Sequence, residues 1–371
     1  MVQLRRITSG GRYIPEIDGL RFVAIAAVVL YHLYGPVRDA GPAGDGGILR
    51  LAAEHGYRGV NLFYVISGFI LGLPFAVHRL RGQRRVELKA YFLRRLTRLE
   101  PPYILNLLVC FALLLWQGQS ARLLLPHLGA SLLYLHNIIF GASSPINPVA
   151  WTLEVEVQFY CLAPLLATVF AIPSKTARRA LMAGLILLAG LLQKLYWHSP
   201  PRLLLTIAFA IQFFLAGFLL ADFYAADWNE HPATHWAWDV ASLVCWPFVF
   251  APGDLDIWVY LPFVMLIVCM GTFQGVILRR IFTRTAVTTV GGMCYSLYLF
   301  HYQVIPAVFP FTRQLRMGTS FDLYFALQAL LVAVPILVAG TLYFIVIERP
   351  CMAKDWPRRL WFAVHYSDTK P

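Results

Sequence analysis

Charged residues are scarce in this sequence of 371 residues. Asp, Glu, Lys and Arg make up 13% of the chain, whereas soluble domains carry about 25%. Hydrophobic residues make up 59%, and the mean hydropathy is +0.63. This composition excludes an ordinary soluble domain and predicts a polytopic membrane protein. The net charge of +12 is then expected to reflect membrane topology and not nucleic-acid binding.

The sequence also lacks the short motifs that hold common cofactors. Its six cysteines form no CxxC or Cys/His metal spacing, so we expect them to be small core residues. No Walker-type phosphate loop, GxGxxG or HExxH pattern occurs. We therefore expect no metal site, no nucleotide hydrolysis and no bound redox cofactor.

Ten apolar segments are long enough to cross a bilayer. They lie at residues 18–34, 59–77, 101–117, 151–172, 180–197, 202–222, 236–251, 255–277, 287–310 and 322–347. Segment 123–140 is also apolar, but Pro126, His127 and Gly129 interrupt it, and we expect it to be re-entrant or interfacial. The sequence thus predicts an all-α polytopic membrane bundle of about ten transmembrane helices.

Lys and Arg are concentrated on one side of this arrangement. With ten crossings, the basic segments 78–100, 174–179 and 278–284 all lie on the same side as both termini. The positive-inside rule predicts that this side is cytoplasmic. Counting 123–140 as a crossing would move the last two basic segments outside, which argues against it. With no evident cleavable signal and no appended soluble domain, we expect residues 1–371 to form a single membrane domain.

A line of ionisable residues runs down the first predicted helix. Asp18, Arg21 and His32 fall on nearly the same face, because three residues make about one turn and eleven residues about three. Arg21 and His32 are then about 16 Å apart along the helix axis. Ionisable side chains are costly inside a bilayer and usually mark function there. The pattern predicts a polar path through the membrane with a titratable imidazole at its far end.

Six motifs in order along the chain carry a resemblance to a known family. They are IDGLRFVAIAAVVLYH (17–32), GVNLFYVISGF (59–69), RRLTRLEPPY (94–103), WTLEVEVQFYCLAPLL (151–166), YSLYLFH (295–301) and IERP (347–350). Over nearly its full length the chain resembles the membrane acyltransferase-3 family, of the O-antigen and exopolysaccharide acetylase type. Two positions depart from the family pattern. Asn61 stands where an acidic residue is common, and Glu100 where an apolar or aromatic one is usual.

The resemblance implies a ten-helix enzyme in the bacterial cytoplasmic membrane. Such an enzyme takes an acyl group, most often acetyl, from cytoplasmic acyl-CoA as co-substrate. It transfers this group to a hydroxyl of a sugar, glycolipid or polysaccharide acceptor, often on the opposite face. The expected partners are therefore acyl-CoA, this acceptor and membrane lipid, and the oligomeric state stays open.

His32 is the candidate catalytic residue. Acyl transfer to a hydroxyl needs a group that removes the hydroxyl proton, and imidazole suits this near neutral pH. The ring could instead carry the acyl group as an acyl-imidazole, or be a hydrogen-bonded core histidine. Glu154 and Glu156 open the fourth span at the predicted depth of His32, and the family resemblance favours Glu156. We expect Glu156 to accept from His32 Nδ1 or to hold the acceptor, the alternative being a helix-start carboxylate favoured by the helix dipole.

Two arginines mark the predicted donor site. Arg95 and Arg98 share a helix face at the cytoplasmic mouth of the third span and could bind the phosphates of CoA together. The alternative is ordinary positive-inside charge. Arg21 near the inner end and His32 near the outer end fit a donor whose thioester sits on an extended arm. Arg21 could also pair with Asp18 and snorkel.

Five further side chains are assigned by position. We expect Ser67 to contact the donor, line its channel or allow close helix packing. We expect Asp18, Trp151, Tyr160 and His301 to line the acceptor site or the channel. Trp151 also suits an interfacial aromatic belt, and His301 a structural hydrogen-bonded histidine.

A different class of protein fits part of this pattern. An intramembrane set of Arg, His and Glu also suits a proton-coupled transporter or flippase for a lipid-linked or sugar substrate. The absence of a visible inverted repeat and the ordered motifs favour the acyltransferase.

Overall fold

The structure, a computed structural model, describes residues 6, 13–41, 47–229, 231–250, 253, 256–315, 320–353 and 356. Within these ranges the chain is helical and contains no β-strand. The predicted all-α class is therefore confirmed.

The helices follow one another with short connections. They are α1 (Pro15–Ala40), α2 (Ile48–Glu54), α3 (Gly59–Arg81), α4 (Leu88–Trp116), α5 (Ala121–Leu132), α6 (His136–Phe140), α7 (Trp151–Leu166), α8 (Lys175–Leu195), α9 (Pro201–Leu204), α10 (Ile211–Ala226), α11 (Trp236–Phe250), α12 (Ile257–Gln274), α13 (Ile277–Phe282), α14 (Thr285–Gly292), α15 (Cys294–Thr312), α16 (Phe321–Tyr343) and α17 (Arg349–Cys351). Short 3₁₀ turns precede α3, α7 and α10 and follow α7, and a π-helical turn joins α16 to α17.

Seven helical stretches of the described chain are long and apolar enough to cross a membrane. They are Pro15–Ala40, Gly56–Arg81, Leu88–Trp116, Pro148–Ala171, Lys175–Leu195, Ile257–Gln274 and Phe321–Cys351. Helices α10 and α11 are apolar but shorter, and α15 has 19 residues. Each of the ten predicted spans overlaps a helix, and the polytopic membrane architecture is confirmed.

The predicted third span begins too late. It was placed at 101–117, but α4 already begins at Leu88 and continues through Pro101 and Pro102. Proline removes a backbone hydrogen bond and usually ends a helix in water, whereas packed membrane helices tolerate it. Arg95 and Arg98 therefore lie inside α4 and not at its first turn.

Segment 123–140 forms two short helices, α5 and α6. The 12 residues of α5 span about 18 Å, which is less than the roughly 30 Å hydrocarbon core of a bilayer. Tyr134 lies between them with a φ of 57°, a conformation uncommon for a residue with a side chain, and its ring stacks on Tyr103 at 4.6 Å. This agrees with the prediction that the segment does not cross.

Helices α3 and α10 make a close backbone contact that positions the site. A Cβ added to Gly68 would lie 2.2 Å from the carbonyl oxygen of Phe214, and one added to Gly217 would lie 2.1 Å from that of Val65. Only glycine fits at such a crossing, as small residues commonly do where membrane helices touch. The neighbouring Ser67 is held at a fixed depth by this contact.

Candidate functional site

Three cavities follow one another along α1 and α3. Helices α4 and α7 complete the first, α4, α7 and α15 the second, and α7, α8, α10, α12 and α15 the third. We name them the inner cavity (about 390 Å³), the central cavity (about 110 Å³) and the outer cavity (about 1130 Å³), after the membrane sides that the charge pattern predicts. The inner and central cavities share six lining residues: Arg21, Ser67, Arg98, Leu99, Glu156 and Tyr160. The central and outer cavities share Val60, Tyr64 and Tyr298. Adjacent cavities thus have common walls, and together they follow the length of α1.

The inner cavity collects most of the predicted donor residues. Its lining includes Asp18, Arg21, Ser67, Arg95, Arg98, Glu156 and Tyr160. Arg6 and Arg94 line it as well, although the sequence analysis did not single them out. Arg94 opens the motif RRLTRLEPPY (94–103), and Arg6 lies in the N-terminal stretch on the predicted cytoplasmic side. A pocket with this many guanidinium groups is suited to an anionic ligand.

Asp18 neutralises part of this positive charge. Its Oδ1 accepts from Arg21 Nη1 at 2.8 Å and from Arg6 Nη1 at 3.4 Å, and its side chain is 3% exposed. The pairing of Arg21 with Asp18, one of the two alternatives for Arg21, is therefore present. Asp18 lines the inner cavity and not the outer one, so it does not lie on the predicted acceptor side.

Arg95 and Arg98 keep hydrogen-bonding capacity for a ligand. Arg95 donates from Nη1 to the carbonyl oxygen of Tyr91 at 2.8 Å, and its guanidinium lies 3.7 Å from the centre of the Tyr91 ring. Arg98 Nε is buried and has no hydrogen-bond partner among the described residues. A buried donor left unpaired is costly, so the residues present fit a bound phosphate.

The predicted contact between Glu156 and His32 is wrong. Glu156 Oε1 instead accepts from Ser67 Oγ at 2.7 Å, and Glu156 lines the inner and central cavities, not the outer one. The sequence argument equated their depths because both stood near the outer ends of their spans. In the structure α7 faces the middle of α3 at this level, so the carboxylate meets Ser67.

Glu154 takes a structural position on the other side of α7. It is 1% exposed, and its Oε2 accepts from the backbone N–H of Asn137 at 2.8 Å. The carboxylate thereby holds α6 against the start of α7. This agrees with the preference for Glu156 as the residue that faces the cavities.

His32 lies on the wall of the outer cavity. Its Nδ1 is 2.9 Å from the carbonyl oxygen of Val28 and 3.1 Å from Nε2 of His301. The rings of Tyr31 and Tyr302 pack against it edge-on, with centroids at 5.2 Å and 5.4 Å. One edge of the imidazole is thus fixed by the protein, and the other faces the cavity.

Of the two expectations for His301, lining a channel is wrong, and the hydrogen-bonded histidine agrees with the structure. His301 is 0% exposed, and the linings of the three cavities do not include it. Along α15, Tyr298 and Tyr302 face the outer cavity, which turns His301 toward α1. It therefore stands behind His32, as a hydrogen-bonded histidine.

The outer cavity is large, aromatic and sparsely polar. Its aromatic lining includes Tyr31, Tyr57, Trp151, Trp197 and Tyr302, and its polar lining includes Asn61, Gln193, Lys194 and Asp256. Apolar and aromatic walls with a few fixed polar groups are typical of pockets for organic ligands. The predicted residue Trp151 lies here, whereas Tyr160 lies in the inner and central cavities.

A family profile described as an acyltransferase domain matches residues 14–347. The chain belongs to the membrane acyltransferase-3 family. No solved structure matches it.

Two relatives of this chain carry functional names. The O-acetyltransferase OatA of Staphylococcus aureus is 25% identical over 332 residues, which cover 79% of this chain and 51% of the relative. The peptidoglycan O-acetyltransferase OatA of Listeria monocytogenes is 25% identical over 345 residues, which cover 83% of this chain and 52% of the relative. The acyltransferase chain thus spans about half the length of each.

The two departures from the family pattern occupy different places in the acyltransferase. Asn61 lines the outer cavity, as His32 does. Glu100 lines a lateral pocket of about 380 Å³ together with Tyr134 and the exposed apolar residues Phe92 and Leu96. Asn61 therefore lies on the predicted outer side of the protein, and Glu100 lies on the lipid-facing side of α4.

Several site residues of the acyltransferase could not be found from the sequence. Trp197, Gln193 and Lys194 reach the outer cavity from the end of α8, and Asp256 from the turn before α12. Lys194 and Asp256 form an ion pair at its rim. They lie in no motif, and only the packing of α8 against α12 brings them to the site.

Within the described residues, no group of three or more His, Cys, Asp or Glu is placed to hold a metal ion.

Proposed function

We propose that this chain is a membrane O-acetyltransferase of the bacterial cytoplasmic membrane that moves an acetyl group from cytoplasmic acetyl-CoA to a glycan hydroxyl. The observation that carries the proposal is the order of the three cavities. A basic pocket stands at one end of α1, an imidazole stands at the other, and a narrow polar passage lies between them. The names of the two relatives support acetyl as the group transferred.

The donor end is the inner cavity. Arg95, Arg98 and Arg94 would hold the phosphates of the CoA, with Arg98 Nε supplying the donor that has no partner within the described chain. Arg21 and Ser67 lie where the inner cavity meets the central one. The extended arm of the donor would pass them and bring its thioester toward His32.

The chemistry belongs to His32. In direct transfer, the imidazole removes the proton of the acceptor hydroxyl while its oxygen attacks the thioester carbonyl carbon. The carbon–sulfur bond breaks, and the sulfur takes the proton and leaves as free CoA. In the two-step alternative, a ring nitrogen of His32 attacks the thioester carbonyl carbon, the carbon–sulfur bond breaks, and CoA leaves as the thiolate. The acceptor oxygen then attacks the acyl-imidazole, the carbon–nitrogen bond breaks, and the hydroxyl proton ends on the thiolate as free CoA.

The acceptor end is the outer cavity. Its aromatic walls and few polar groups suit a sugar ring, which offers apolar faces and hydroxyl edges. The relative from Listeria is named for peptidoglycan, and we propose a cell-envelope glycan as the acceptor class here. Trp151 and Tyr302 line this cavity together with His32 and would hold the sugar.

The test is CoA release by the purified protein. Labelled acetyl-CoA is supplied to the wild type, to His32→Ala and to His78→Ala, with and without a membrane glycan extract. His78 lies at the end of α3, outside the linings of the three cavities. We expect extract-stimulated release by the wild type and His78→Ala, and a loss of about a hundredfold or more in His32→Ala.

Two outcomes would contradict the proposal. A fully active His32→Ala enzyme would remove His32 from the mechanism. No release with acetyl-, succinyl- or longer acyl-CoA donors, from folded wild-type protein, would favour the transporter or flippase alternative.

A further inference from the structure

His301 is the buried residue most closely connected to the proposed chemistry. It has 0% exposure, and its ring centroid lies 4.9 Å from that of His32. Its Nδ1 is 2.7 Å from the carbonyl oxygen of Tyr298, one turn back along α15. Its Nε2 is 3.1 Å from His32 Nδ1. Both ring nitrogens are thus engaged, and neither faces a cavity.

The partners of His301 fix where its proton lies. A carbonyl oxygen can only accept, so the bond to Tyr298 requires a proton on His301 Nδ1. Among the described residues no carboxylate contacts His301, and full burial then disfavours the charged ring. Neutral imidazole carries one N–H, so His301 Nε2 holds a lone pair and is an acceptor.

The same reasoning then fixes the proton of His32. Its Nδ1 faces two acceptors, the carbonyl oxygen of Val28 at 2.9 Å and His301 Nε2 at 3.1 Å. Nδ1 therefore carries the proton and donates. The lone pair of the neutral ring lies on Nε2, which makes no hydrogen bond with any described residue while His32 lines the outer cavity.

We propose that His301 is a positioning residue that holds His32 in the Nδ1–H tautomer and leaves its Nε2 basic toward the acceptor. Val28 supplies a second acceptor for the same proton. The inference rests on the proposed function, and it holds for both routes, since a general base and an acyl carrier both need the Nε2 lone pair. The neutral imidazole of His301 here takes the orienting part that a carboxylate takes in a Ser-His-Asp triad.

A pair of substitutions at His301 separates positioning from packing. The amide of glutamine reaches about as far as Nε2 of histidine, whereas that of asparagine reaches only about as far as Nδ1. His301→Gln can therefore still accept from His32, and His301→Asn can bond only to Tyr298. We expect His301→Gln to keep kcat within a few-fold. We expect His301→Asn to lower kcat by about a hundredfold with the KM for acetyl-CoA unchanged.

The chain offers a matched control. His127 Nδ1 is 2.8 Å from His136 Nε2, a second contact between two histidines that lies outside the three cavity linings. His127→Asn should leave kcat unchanged. Equal losses in His301→Gln and His301→Asn, or an active His301→Asn enzyme, would overturn the proposal.

A second measurement is independent of activity and of variant folding. Nitrogen-15 NMR of histidine-labelled wild-type protein reports which ring nitrogen carries the proton, and spectra of His32→Gln and His301→Gln assign the signals. We expect Nδ1–H for His32. Nε2–H would overturn the inference. Nδ1–H in a protein that releases no CoA would leave the tautomer in place and reject the proposed function alone.

Discussion

At the scale of single residues, the positive charge of the inner cavity is only partly compensated. Asp18 pairs with Arg21 and Arg6, which accounts for one end of the pocket. At the other end Arg95 rests on the ring of Tyr91, and Arg98 has a buried Nε without a partner within the described chain. An arriving anion would supply the acceptor that Arg98 Nε lacks within the described chain.

Arg98 therefore provides the first residue-scale prediction. Arg98→Gln should raise the KM for acetyl-CoA by about tenfold to a hundredfold, because a hydrogen bond to a charged group contributes about 1.5–3 kcal/mol. The KM for the acceptor should change less. Steady-state kinetics with each substrate varied in turn would measure both constants.

Arg85 is the control for that experiment, because it is exposed between α3 and α4 and carries the same charge. Arg85→Gln should leave both constants unchanged. A larger effect of Arg98→Gln on the acceptor than on acetyl-CoA would place Arg98 at the acceptor site.

The two errors about single residues have a common cause. Spacing along α1 correctly placed Asp18 beside Arg21, because both lie on one helix with a known pitch. Glu156 and His301 lie on α7 and α15, whose rotation and depth relative to α1 depend on packing. The sequence could indicate that these residues face the protein interior, but not which partner each would meet.

At the scale of helices, the crossing of α3 and α10 determines where Ser67 and Glu156 meet. Gly68 and Gly217 let the two backbones touch, and Ser67 follows from the same stretch of α3. Without a side chain at the crossing, the helices gain close van der Waals contact, which is a main source of stability between membrane helices.

Gly217→Ala should accordingly destabilise the bundle. The new methyl group would come within 2.1 Å of the carbonyl oxygen of Val65, so the helices must separate, at a cost of roughly 1–3 kcal/mol for an overpacked interior. Thermal unfolding in detergent should show a lower midpoint, and acetyl transfer should fall with it.

Gly184 on α8 is the matched control. Nothing lies within 4 Å of a Cβ added there, so Gly184→Ala should keep or slightly raise the unfolding midpoint, since alanine favours helix over glycine. If both variants behaved alike, the crossing would not be the reason for the glycine at position 217.

Helix α4 shows why the boundary of one element escaped prediction. Its first turns carry Lys89, Arg94, Arg95 and Arg98, and the pair Pro101–Pro102 follows. Hydropathy alone predicts that the third span starts after these charged residues, at position 101. The structure runs one helix through both, since packing against neighbouring helices lets a membrane helix tolerate proline.

At the scale of the whole molecule, the three cavities predict a two-sided enzyme. The basic inner cavity and the aromatic outer cavity lie at opposite ends of α1, with the central cavity between them. Donor and acceptor would therefore approach from opposite sides of the membrane.

This arrangement can be tested with oriented membrane vesicles. Acetyl-CoA should support labelling of the acceptor when it is supplied to the side that carries the basic segments, and not when it is supplied only to the other side. Inside-out and right-side-out vesicles containing the wild type, with His32→Ala as the blank, would measure this. Equal labelling from both sides would reject the two-sided arrangement.

The sequence by itself determined the class of the molecule and the content of its site. Hydropathy settled that it is an all-α membrane protein, because helices satisfy their backbone hydrogen bonds internally in lipid. The ordered motifs identified the family, and the helical period put Asp18, Arg21 and His32 on one line. Hydropathy, motifs and helical period are all properties of neighbouring residues along the chain.

The tertiary structure decided which of these residues work together. It joined Glu156 to Ser67 and His301 to His32, and it brought Trp197 and Asp256 to the outer cavity. The physical reason is that such contacts depend on how each helix is rotated and how deeply it sits. Close backbone contacts such as Gly217 on Val65 fix both quantities only when the whole bundle packs.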